Sequence, residues 1–453
     1  MKKVLLMVAA AALVGQTSVP ALAQDDGEAK FTFNGMVRSG FDSFNNYFDL
    51  KNTGTAGAND DGVSLWPYRV MAGINGQFSQ NVSAHIGFQY VGAWGDELSP
   101  QKDVLPPIGQ FNTPYQFNTQ GVQLYTAYVD LAKLGGTDFG LRVGRQEHTY
   151  GTELFMGDND YYAGLSFDGI RAMWKHGHND LNGFYYHVAE GNGPANSFRT
   201  EDSNFFGATY DYNFEKVWGT VGGYVLVAQD LGGFGPIGAP DSKLYTIGAR
   251  WNKAMAAPGS YKGGDMFDWN LELASQTGDK FGPTAGPKVD ISAWVYEGWF
   301  AFNFGGDKSH GRAHIGFLST SGDKTSTTKD ENFVPLYGDF HANNRFGDLD
   351  FIDTIGNGGQ QNITDVNLGY EHWFGNHSLM IAAHWAKLTE KNALTEDSLG
   401  TEVDLKYGYR YSKNVGMEVG LGEWLPGKAL EAAYGVTSSD PVSRIAARLT
   451  LTF

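Results

Sequence analysis

The chain has no cysteine at all. That excludes a disulfide framework, a thiolate metal site and a cysteine nucleophile. Positive charge is scarce: 33 Lys and Arg stand against 50 Asp and Glu, for a formal net charge of −17. A nucleic-acid binder needs the opposite balance, so nucleic acid is excluded as a partner. Long apolar runs are missing too. Nothing approaches the roughly 18 consecutive apolar residues of a membrane-spanning helix. What the chain does have is glycine (61 of 453 residues) and 14% aromatic residues. Scattered aromatics at that level are unlike a disordered chain, which is aromatic-poor.

The first residues set the compartment. Met1-Lys2-Lys3 is a positive start, Val4 to Val14 is apolar, and Ala21-Leu22-Ala23 is a small-x-small triplet. Together they predict a secretory signal peptide over residues 1–23, cleaved between Ala23 and Gln24. The apolar run is too short to span ~30 Å of hydrocarbon. No cysteine follows the cleavage point, so no lipid anchor is expected. The exported part, 24–453, shows no linker and reads as one domain.

Alternation then decides its class. Ile445, Ala447, Leu449, Leu451 and Phe453 interleave with Arg444, Arg448, Thr450 and Thr452. Phe31, Phe33, Val37 and Phe41 interleave with Thr32, Asn34, Arg38 and Asp42, and Val403, Leu405, Tyr407 and Tyr409 with Asp404, Lys406 and Arg410. A period of two marks strands with one greasy and one polar face. Soluble sheets also alternate, but three features favour a membrane barrel. The segments are near the ~9–11 residues of tilted membrane strands. Aromatics such as Trp174, Trp251, Phe374 and Trp385 sit towards the ends of the apolar faces, as in an interfacial girdle. Tight turns, among them Gln80-Asn81 and Gly375-Asn376, alternate with long acidic connections. Lipid cannot satisfy a free strand edge, so the sheet must close.

The pattern predicts an all-β, transmembrane, antiparallel up-and-down β-barrel with about 18 strands, both ends periplasmic. A long turn at 254–265 leaves a count of about 16 open. Barrels of 16–18 strands enclose an aqueous channel. Loop 148–165 mixes Tyr150, Leu154, Phe155 and Met156 with Glu153, Asp158 and Asp160. It is too greasy for a solvated loop and is expected to fold inward and constrict the pore. Parity places Arg38, Arg69, Arg142, Arg171, Arg410, Arg444 and Arg448 on inner faces, and closure joins the last strands to the first. A basic wall facing the loop acids would set a transverse field across a narrow passage. Arg145 shares the parity of Val143 and faces outward. Asn59-Asp60-Asp61-Gly62 and Asp158-Asn159-Asp160 could offer oxygens to Ca²⁺, but neither is a complete ligand loop, so no cofactor is expected. No nucleophile motif is present, which argues against an enzyme.

The Leu141-Arg142-Val143-Gly144-Arg145-Gln146 strand running into a Gly157-Asp158 loop, the Ala21-Leu22-Ala23 leader end and the terminal Leu449-Thr450-Leu451-Thr452-Phe453 carry a family likeness. The chain resembles Gram-negative trimeric outer-membrane porins, closest to the homotrimeric porins of Desulfovibrio-type sulfate reducers. The resemblance implies a homotrimer in outer-membrane lipid and lipopolysaccharide. It implies a loop-constricted channel for passive diffusion of small hydrophilic solutes and ions, and Phe453 as a signal to the barrel-assembly machinery. The competing expectation is a substrate-specific channel for sugars or organic anions.

Overall fold

The computed structural model describes residues 29–46, 50, 62–94, 121–158, 160–189, 202–214, 218–230, 241–253, 266–281, 287–306, 308–324, 326–339, 361–392 and 394–453. The expected signal peptide, its Ala23/Gln24 cleavage point, the Asn59-Asp60-Asp61 acids and the 254–265 turn lie outside these residues.

Eighteen strands follow in chain order. They are β1 Lys30–Asn45, β2 in two pieces (Val63–Leu65 and Pro67–Ser79), β3 Val82–Ala93, β4 Gln123–Leu131, β5 Phe139–Gln146 and β6 Phe167–His176. Then come β7 Asn179–Ala189, β8 Ser203–Asn213, β9 Thr220–Asp230, β10 Ser242–Lys253, β11 Phe267–Phe281 and β12 Lys288–Gly306. The last are β13 Ser309–Thr320, β14 Ile363–Phe374, β15 His377–Leu388, β16 Ser398–Arg410, β17 Val415–Pro426 and β18 Val442–Thr452. Both pieces of β2 pair with β1 on either side of Trp66, so they count once in the wall. Each strand pairs antiparallel with the next, and β1 closes on β18 from Met36↔Thr452 to Asn45↔Ser443. The expectation of eighteen strands holds, and sixteen is set aside.

The period of two produces an inside-out protein. On β18, Ile445 is 49% and Leu449 46% exposed, while Arg444 is 2% exposed. The greasy face meets lipid and the polar face is enclosed. No helix among the described residues is long and apolar enough to cross a membrane; the crossing is made by strands. The tight turns lie together at one end, where Gly177 (φ 56°) and Gly375 (φ 59°) adopt the left-handed conformation that glycine tolerates. The terminal Phe453 is zipped to Gly35 by two backbone bonds of 2.9 and 3.1 Å. Its ring occupies the space a Cβ on Gly35 would need.

An apolar core lies inside the barrel. Loop 148–165 does fold inward: Leu154, Phe155 and Met156 are buried against Phe167, Phe184, Phe205, Tyr224 and Leu244 of the wall. Each such side chain contributes about 1.5–3 kcal/mol by leaving water, enough to hold a loop of this length across the lumen. A second segment, 321–339, also turns inward and buries Phe333, Val334, Leu336 and Tyr337 in the same core. The two loops pair in parallel at Met156↔Tyr337. Gly157 N donates to Tyr337 O at 2.9 Å and Tyr337 N to Phe155 O at 3.1 Å. A Cβ at Gly157 would stand 2.6 Å from Asp339 N, so only glycine permits this approach. A short helix, α1 Lys428–Ala433, covers part of the core with Ala429 and Leu430.

Candidate channel constriction

The basic residues of β18, β1 and β2 meet at the end of loop 148–165. Arg38 and Arg69 are direct cross-strand partners. Like charges so placed repel, and Asp160 of the loop sits between them. Arg38 Nη1 donates to Asp160 O at 2.6 Å and its Nη2 to Asp160 Oδ2 at 3.3 Å. Arg69 Nη1 donates to the same carbonyl at 3.3 Å and lies 4.0 Å from Oδ2. Arg444 pairs with buried Asp42 at 2.5 Å and also donates to the Tyr161 hydroxyl. Tyr162 donates to Asp42 Oδ2 at 3.1 Å. The Arg448 guanidinium stacks 3.4 Å from the Tyr161 ring centre. On Arg69 and Arg448 the Nη2 atoms are buried without a hydrogen-bond partner. Two guanidinium donors in one constriction are therefore left unused.

The other end of the loop is fastened to the opposite wall. Thr152 Oγ1 lies 2.9 Å from Glu272 Oε2 and 2.8 Å from Glu297 Oε2. Tyr224 donates to Glu272 Oε1 at 2.8 Å. Arg250 pairs with Asp211 at 2.7 Å and packs 4.6 Å from the Tyr150 ring centre. Gln276 holds the second loop through both atoms of the Val334 backbone, at 2.8 and 2.9 Å. The loop thus crosses the lumen from an acidic wall (β8, β11, β12) to a basic one (β18, β1, β2).

Along the crossing, Glu153, Asp158 and Asp339 each bring a carboxylate oxygen to within 4.8 Å of the others. Partial burial, with Asp160 and Asp339 nearby, pushes the Asp158 carboxyl up to about 6. His148 is driven down to about 3 by burial and by Arg171 and Arg142, and so stays neutral. It lies 2.9 Å from the Tyr186 hydroxyl.

Of the residues singled out in the sequence, Arg38 and Arg69 touch Asp160 directly, and Arg444 and Arg448 touch the neighbouring Tyr161 of the same loop. Glu153 and Asp158 join Asp339 instead. Arg142 and Arg171 belong to the next sector: Arg142 pairs with Asp130 at 2.7 Å, and Arg171 donates to Asn182 at 2.9 Å. Arg410 is exposed at the short-turn end of β16. Sequence reasoning missed Tyr161, Tyr162, Thr152, Glu272, Glu297 and Asp339 as loop partners. The apolar run Phe333-Val334-Pro335-Leu336-Tyr337 in a polar connection is the same signal that marked loop 148–165, and could have exposed the second loop.

With this geometry in hand, likeness to known proteins is informative. The family described as "Alginate export" matches residues 110–443. No curated protein sequence matches the chain. Among solved structures, OccK9 (OpdG) of Pseudomonas aeruginosa superposes with a TM-score of 0.59 at 12% identity, covering 93% of this chain and 98% of its own. OccK2 (OpdF) of the same organism, solved in complex with glucuronate, gives 0.56 at 13% identity over 94% and 98%. A BenF-like porin from Pseudomonas fluorescens Pf-5 gives 0.57 at 13% identity over 93% and 99%. At such low identity these likenesses establish the fold, a porin-type barrel. Closed barrel, lipid-facing exterior and loop-crossed lumen together describe an outer-membrane channel. The family match spans well over half of the sequence, and the chain belongs to the alginate export family.

Proposed function

We propose that the channel passes small hydrophilic solutes by passive diffusion and prefers anions. The carrying observation is the convergence of Arg38, Arg69, Arg444 and Arg448 on one loop end, with two buried guanidinium nitrogens unused. Asp42 and Asp160 neutralise part of this charge, and the remainder favours negative solutes. A second version, a substrate-specific channel for organic anions or acidic sugars, draws on the same donors. A guanidinium offers a carboxylate two parallel N–H groups, and the glucuronate complex of the OccK2 relative supports that solute class. In this account Glu153, Asp158 and Asp160 set the loop side of the constriction. Arg142, Arg171 and Arg410 tune the field further along, and neither catalysis nor a cofactor enters. The account also includes the signal peptide over 1–23, kinship to the Desulfovibrio-type porins, homotrimeric assembly in lipopolysaccharide-containing membrane, and Phe453 as assembly signal.

Planar-bilayer recording tests it. Ohmic openings that carry more anion than cation support the diffusion channel. Saturable block by glucuronate, with none by glucose, supports the specific version. Cation preference with no block by either solute refutes both.

A further inference from the structure

Where loop 148–165 is fastened to the acidic wall, the hydrogen bonds need one more hydrogen than ionised side chains supply. Glu272 of β11 and Glu297 of β12 are direct cross-strand partners on the inner face. Two carboxylates so placed repel. The Thr152 hydroxyl reaches both, 2.9 Å from Glu272 Oε2 and 2.8 Å from Glu297 Oε2. All three side chains are buried. Both distances are ordinary for O–H···O bonds, and each such bond needs its own hydrogen. Threonine supplies one, and an ionised carboxylate supplies none. Tyr224 of β9 does not supply the second, because its hydroxyl donates to the other oxygen of Glu272, Oε1, at 2.8 Å. With both glutamates ionised, one of the two contacts would set lone pair against lone pair in a buried site.

The surroundings of the pair fit this count. Arg250 of β10 faces Glu272 from its other side, yet its guanidinium is turned to Asp211 of β8, with bonds of 3.1 and 2.7 Å. Tyr150 of the loop packs against Arg250 and Tyr224, and its hydroxyl donates to Asp211 at 3.1 Å. On the opposite side β13 presents Leu318 to Glu297. Beyond Leu318 stands Asp365, whose Oδ2 lies 3.0 Å from His384 Nδ1.

We propose that Glu272 and Glu297 share one proton, and that this proton latches the inward loop to the wall. One carboxyl donates to Thr152 Oγ1, and Thr152 donates to the other. The proton belongs to the pair rather than to either residue. When base takes it into water, two negative oxygens face a single hydroxyl. The fastening at Thr152 then opens, while Leu154, Phe155 and Met156 keep their places in the core. The passage widens as pH rises. The latch rests on the loop lying in the ion path, and the anion preference is independent of it. It acts on width, whereas Asp158, whose carboxyl sits at about 6, acts on charge at lower pH.

Glutamine at either position keeps an N–H donor that base cannot remove. Wild type, Glu297→Gln and Glu272→Gln are to be recorded in planar bilayers from about pH 7 to about pH 10, a range that covers the late protons of buried carboxyls. In ~1 M potassium chloride, screening over about 3 Å leaves width as the main control of current. Wild-type conductance should rise with pH, and each variant should lose that rise. Infrared spectra of the detergent-solubilised barrel read the proton itself. At neutral pH the wild type should show an unionised-carboxyl carbonyl stretch that each variant lacks, and should lose it over the same range. Flat wild-type conductance, a rise that survives in either variant, or carboxyl bands identical in all three would overturn the proposal. Should the variants fail to fold, the wild type decides: a band that vanishes together with the rise in conductance upholds the latch, and no such band rejects it. The spectra need no current, so a membrane that stays insulating refutes the channel while the bands still decide the proton.

Discussion

Acidification is the most informative perturbation, because the Asp158 carboxyl of the inward loop titrates within the working range. Asp158 carries a carboxyl raised to about 6 by partial burial and by Asp160 and Asp339. It is about nine-tenths ionised at pH 7 and about one-tenth at pH 5. A raised acid binds its proton more tightly in the folded loop, so the ionised form is the costly one. The repulsion is present above about pH 6 and relieved below it. Falling pH therefore removes one negative charge from the constriction. A unit charge about 5 Å from a permeating ion in water is worth ~0.8 kcal/mol. Screening at ~0.1 M salt reduces this to about 0.5 kcal/mol, roughly twofold for each ion. Anion permeability rises and cation permeability falls, so their ratio should grow about fourfold between about pH 7 and about pH 5. Zero-current potentials across a potassium chloride gradient measure that ratio. Asp158→Asn should hold the low-pH value throughout. If wild type shows no shift, or if Asp158→Asn keeps the full shift, Asp158 does not face the passage.

Other consequences are separately measurable. Arg38→Gln and Arg448→Gln should each lower anion preference about twofold or more in the same assay, whereas Arg410→Gln, at the exposed rim, should change it less. Asp42→Ala strips Arg444 of its carboxylate at a site where both groups are buried. Losing one partner of such a pair costs roughly 3–5 kcal/mol, read as a lower melting temperature of the detergent-solubilised barrel. Deleting 153–160 should raise single-channel conductance, and Gly157→Val, which forces the inward loops apart, should raise it by a smaller amount. Unchanged conductance in both would remove the loop from the ion path.

The barrel was legible because lipid imposes one rule on every strand: side chains at alternate positions must differ in polarity. That rule located all eighteen strands and put Arg444 inside and Ile445 outside. Loop 148–165 was legible because Leu154-Phe155-Met156 has no reason to be greasy in water. Its partners were not. The Met156↔Tyr337 pairing joins residues far apart in sequence, and nothing local to 321–339 names its mate. Parity gives a face and not a height. It therefore could not separate Arg38 and Arg69, which grip Asp160, from Arg142 and Arg171, which hold Asp130 and Asn182. Helix α1 escaped notice because six residues, KALEAA, are too few to show a helical period.

The central claim is that ions pass through a sealed barrel beside a basic wall. The most direct test is the sign of the zero-current potential of the wild-type channel at neutral pH. Chloride moving more readily than potassium is the predicted result. A potassium-selective channel, or a membrane that stays insulating after the folded protein is inserted, would contradict it.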